Sequence, residues 1–102
     1  MELREFNIDV PGKGKVDVSL WLHFSDHDNS VSAQDIKIHS DFDSGLPRHP
    51  HLMLVDHEWK FHVQQPIMVE KEVVVEDKYS AEGLSKDIIR RIMDLVDDAK
   101  VK

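Results

Sequence analysis

Apolar residues recur at every second position through the first three quarters of the chain, the spacing of strands with one buried side. In "REFNIDV" the apolar set is Phe6, Ile8 and Val10. "PGKGK" then breaks the pattern as a turn, because a proline and two glycines interrupt any regular element. "VDVSLWLHF" restores it with Val16, Val18, Leu20, Leu22 and Phe24, the strongest strand signal in the chain. The Asx- and Ser-rich "SDHDNS" reads as a loop, and "QDIKIHS" as a shorter strand with Ile36 and Ile38 inward. After the connection "DFDSGLPRHP", the segments "LMLV" and "EWKFHV" read as a hairpin around Asp56 and His57. Leu52 then faces Phe61 and Leu54 faces Trp59, so both arms agree in parity, although Asp-His lacks the glycine that two-residue hairpin loops favour.

"QQP" is read as a break, and "IMVEKEVVVE" as a last strand with Ile67, Val69, Val73 and Val75 on one side and Lys71 spoiling that face. From Ser80 the period changes. Leu84, Ile88, Ile92, Leu95, Val96 and Ala99 recur at three- and four-residue steps, the stripe of an amphipathic helix, with Ser80 or Ser85 as N-cap and Asp87 near the positive end. The expected fold is therefore α+β: an antiparallel sheet of five to six strands followed by one C-terminal helix packed on one face, with residues 1–102 as a single domain.

Alternation also fixes what points away from the helix. That outward set contains Asp17, Ser19, Trp21 and His23, then Asp35, Lys37 and His39, and further along Met53, Val55, Met68 and Val74. Trp21 with Met53, Val55, Met68 and Val74 would make an apolar patch that needs covering. One helix of this length spans roughly 25 Å, enough for one side of the sheet and not both. Four outcomes follow: a sheet curled into a partial barrel, a face docked on a second copy, a face docked on another protein, or a wet face with Trp21 under the long loop.

Composition narrows the classes. The chain is 40% hydrophobic and 32% charged with few glycines and prolines, the balance of a folded protein. A formal charge of -7 without a basic stripe argues against nucleic acid. Absence of cysteine removes disulfides, thiolate catalysis and cysteine-ligated metals. No apolar run approaches a membrane span, and "MELREFNIDV" lacks the charged and apolar regions of a signal peptide. A soluble cytoplasmic protein is the default expectation, although a cysteine-free chain equally suits export.

Five of the seven histidines lie between positions 39 and 62. His49 and His51, two apart, leave an extended chain on the same side, and the hairpin sets His51 opposite His62. Three imidazoles with an acid or His39 as a fourth group suit zinc, nickel or copper. Against this, a His-x-His in a polar loop is common, and parity spaces ligands far too loosely to define a metal bond. Other motifs fail. "DFDSG" and "DHDNSV" depart from a calcium loop at the glycine and at the twelfth position, and "PGKGK" lacks phosphate-loop spacing. Serines beside histidines, such as His39 and Ser40, point to opposite sides of a strand, so no catalytic residue is assigned. The sequence thus favours a non-enzymatic interaction module, self-associating around Trp21. The alternatives are a divalent-metal protein using His49, His51 and His62, with zinc as its cofactor, and a small-ligand module with a cavity inside a curled sheet.

Overall fold

In the computed structural model, which describes residues 1–100, the alternating N-terminal segments form β1 (Glu2–Val10), β2 (Gly14–Phe24) and β3 (Val31–Ser40). They pair antiparallel in the order β1-β2-β3. Val16, Val18, Leu20 and Leu22 of the central strand are buried, as the period-2 pattern predicts. The turn between β1 and β2 has Pro11 followed by Gly12 at φ 77°, and Lys13 N–H closes it on the Val10 carbonyl. That is a type II turn, whose third position needs glycine.

β3 starts three residues earlier than the sequence pattern suggests, because a bulge hides its first half. Asp35 adopts φ 52°, and the register slips between Ser19 and Trp21. The extra residue shifts the buried side from odd positions, Val31 and Ala33, to even ones, Ile36 and Ile38.

A second antiparallel sheet follows, β4-β5-β6, built from β4 (His51–Val55), β5 (Glu58–Val69) and β6 (Glu72–Ser80). The fold is α+β with six strands, but they form two three-stranded sheets and not one continuous layer. The connection from 41 to 50 separates them. Its Arg48 carbonyl accepts from Ile38 N–H, so part of the β3 edge is occupied before β4 begins. Leu52 faces Phe61 and Leu54 faces Trp59, in the register expected from parity.

The final strand is the largest departure. "IMVEKEVVVE" is not one strand but the tip of a hairpin, with Glu70 and Lys71 at φ 50° and 68° as its turn. "QQP" does not break β5, because β4 pairs only as far as His62 and Pro66 needs no neighbour on the side where its N–H is missing.

Helix α1 (Leu84–Lys100) packs against β3 and β5 and so ties the two sheets together. Ile88, Ile92 and Val96 join Phe61 and the buried residues of β2 and β3 in one contiguous core. The Arg91 guanidinium lies 4.7 Å from the centre of the Phe6 ring, anchoring the helix to β1. Neither serine caps the helix: Ser80 ends β6 and Ser85 is buried in the first turn, while Gly83 at φ 57° supplies the carbonyl that accepts from Asp87 N–H.

Candidate interaction surface

β5 and β6 run on well past the core. From Gln64 to Glu76 every residue is exposed except the half-buried Ile67. Pairing in the register Val69↔Glu72, Met68↔Val73, Ile67↔Val74 and Pro66↔Val75 sorts the apolar side chains onto both sides of this arm. One side carries Ile67, Val69 and Val74; the other carries Pro66, Met68, Val73 and Val75. Met68 is 67% exposed, Val73 66% and Val75 64%, values that belong to no core. The whole molecule measures 51 × 39 × 23 Å with a radius of gyration of 15.2 Å. A compact domain of this length has a radius of about 13 Å, so the arm projects.

The patch expected around Trp21 is dispersed by this geometry. Trp21 lies on the outer side of the first sheet between Leu3 and Gln34. Met53 and Val55 lie on the second sheet, opposite Lys60 and Glu58, and share a side with Met68. Val74 sits on the other side of the arm, because the Glu70–Lys71 turn reverses the chain between Met68 and Val74.

The histidines divide similarly. His51 does pair with His62, with ring centroids 6.4 Å apart. His49 instead lines an open concavity of about 700 Å³ on the outer side of the first sheet, together with Glu5, Asp17, Lys37, His39 and Arg48. His62 is buried, lies under Tyr79 at a centroid separation of 4.9 Å, and places Nε2 2.9 Å from Asp77 Oδ1. This hydrogen bond from His62 is the main reason the Asp77 carboxyl titrates below the ordinary aspartate value of 3.8. An ionised carboxylate only accepts, so Nε2 carries the proton and is closed to a metal. Nδ1 is buried without a partner among the described residues. Nor do three His, Asp or Glu side chains gather as a metal set among the described residues.

Ser40 is likewise committed: its Oγ donates to the Phe42 carbonyl at 2.8 Å, while the neighbouring His39 is exposed, 3.8 Å from Asp41. The sequence reading missed Pro66, Val73, Val75 and the His62–Asp77–Tyr79 group at the arm's root. The near-symmetry of "IMVEKEVVV" about Glu70–Lys71 was the signal available. Among the described residues no helix is long and apolar enough to cross a membrane. No family model, curated protein or solved structure matches this chain.

Proposed function

We propose that this chain is a non-enzymatic self-association module, with the β5–β6 arm as its contact element. The observation that supports this reading is a two-stranded hairpin that leaves the core with apolar side chains on both sides and both strand edges unpaired, β5 beyond His62 and β6 along its length. An isolated two-stranded hairpin is marginal in water, and an exposed apolar edge invites another strand. A contact with a second copy relieves both problems. The sheet side around Trp21 is the competing contact, but it offers only Trp21 and Leu3 as large apolar residues in one row.

Sedimentation of the wild type, of Val73→Glu with Val75→Glu, and of Trp21→Glu separates the two surfaces. The expected result is a dimer at tens of micromolar, roughly the range that ordinary specific homodimers survive. The arm variant becomes monomeric and Trp21→Glu stays dimeric. A monomeric wild type removes self-association altogether, and dissociation by Trp21→Glu alone moves the contact to the first sheet.

A further inference from the structure

Both edges of the arm are open, but Pro66 removes a donor from the outer edge of β5, whereas β6 keeps every N–H and its sequence selects one way for two copies to pair. The two-residue turn makes Val69 and Glu72 a hydrogen-bonded pair. By alternation Glu72, Val74, Glu76 and Lys78 then direct their backbone groups toward β5. Val73, Val75, Asp77 and Tyr79 direct theirs to the free edge. We infer that β6 pairs antiparallel with β6 of a second copy, centred on Val75, with Glu72 of each chain opposite Lys78 of the other; this rests on the self-association proposed above.

Charge decides the register. Centred on Val75, the pairing sets Val75 against itself, Val73 against Asp77, Val74 against Glu76 and Glu72 against Lys78, the last of these twice by symmetry. Centring on Val74 opposes Glu72 to Glu76. Centring on Glu76 opposes that acid to itself, and centring on Asp77 opposes the two Asp77 carboxylates although it also sets Glu76 against Lys78. Centring on Val73 overlaps little more than the turn. Directly opposed like charges destabilise a sheet and opposed unlike charges support it. Glu72 and Lys78 also fall at non-hydrogen-bonded positions, where opposed side chains approach most closely. Within the chain neither is engaged: the ion pairs among the described residues are Arg4–Glu2, His39–Asp41, His62–Asp77 and Lys100–Asp97. The two arms would fuse the second sheets of both copies into one six-stranded sheet and remove an exposed edge from each.

The experiment is a charge swap read by sedimentation. Glu72→Lys and Lys78→Glu, each alone, place like charges opposite one another twice, and each is expected to weaken the dimer roughly tenfold or more. The double variant restores both pairs with inverted sign and recovers wild-type affinity. Because the chain has no cysteine, Val75→Cys introduces a single thiol. Opposed Cα atoms about 5.5 Å apart at a hydrogen-bonded pair fall within disulfide range, so mild oxidation crosslinks this variant. Val73→Cys, roughly 13 Å along the strand from its own copy, does not crosslink. Additive weakening in the double charge variant, or crosslinking at position 73 and not 75, overturns the register even where the arm variant abolishes the dimer. A monomeric wild type overturns both the register and the reading beneath it.

Discussion

The body and the arm are built from the same kind of strand and differ in what their side chains meet. Along β2, Val16, Val18, Leu20 and Leu22 alternate with Asp17, Ser19 and the exposed Trp21 and enter the core they share with Ile88, Ile92 and Val96, so one side of the strand is buried and the other faces out. Along β6, Val73, Val74 and Val75 are consecutive, so both sides are apolar and both are exposed. Consecutive β-branched residues are the composition of a strand covered on both sides, which this chain by itself does not provide. The lesson is that β2 buries its apolar side within its own chain, whereas β6 leaves apolar residues exposed on both of its sides.

Truncation is the most forceful way to break this contrast. Leu20→Ala opens a cavity in the core around a fully buried side chain and is expected to lower the unfolding free energy by about 2–5 kcal/mol, measured by urea denaturation. Val73→Ala, measured at a concentration dilute enough to keep copies apart, is expected to change it by less than ~0.5 kcal/mol. A loss from Val73→Ala approaching that from Leu20→Ala would mean that the arm packs on its own body.

Much of the body was legible in the sequence because its signals are local and repeated. β2 carries its alternation without interruption, and α1 keeps its three- and four-residue steps from Leu84 to Ala99. The register of Leu52 on Phe61 followed from parity alone. What stayed hidden depended on single residues in unusual backbone conformations. Asp35 at φ 52° flips the parity of β3, and Glu70–Lys71 reverses the chain without the glycine or asparagine that marks such a turn. The division into two sheets depends on where the 41–50 connection lies, a tertiary outcome with no periodic signature. For the candidate surface, Met68 and Val74 were legible as exposed apolar residues, but Pro66, Val73 and Val75 were not, and Val74 falls on the opposite side from Met68 because the Glu70–Lys71 turn reverses the chain. For the histidines, parity placed His51 on His62 correctly, while His49 lies before β4 in the connection, where strand parity does not apply.

The two glycine-free turns sharpen the contrast at a smaller scale. Asp56–His57 and Glu70–Lys71 both hold left-handed conformations, at φ 52° and 68° and at φ 50° and 68°. Side chains resist that region by about 1–2 kcal/mol per residue, and asparagine and glycine resist it less. Replacing Asp56–His57 with Asn-Gly is expected to raise the global unfolding free energy by roughly 1 kcal/mol, since this turn joins strands that contribute Phe61 to the core. The same replacement at Glu70–Lys71 is expected to leave global stability unchanged and to slow amide hydrogen exchange only between Gln64 and Glu76, because the arm opens locally without unfolding the body. Equal global gains from both turns would show that arm and body unfold as one unit.

The smallest effect tests where the boundary between the two regions falls. His62 and Asp77 join β5 to β6 at the root of the arm, one strand position beyond the buried Phe61. Because the hydrogen bond holds the folded Asp77 carboxyl below its ordinary value of 3.8, its contribution is fully present above that value and is lost as the pH falls through the lower folded one. Asp77→Asn keeps the shape and removes the titration. The stability difference between wild type and Asp77→Asn is therefore expected to be constant above the ordinary value and to shrink in stronger acid, where protonated Asp77 resembles asparagine. The ring signals of His62 and Tyr79, followed by NMR through the same range, are expected to shift in the wild type and to stay fixed in the variant. If they move together with the arm's amides and not with those of β2, the root belongs to the arm; movement of both sets would place His62 in the body, with the arm beginning at Gln64.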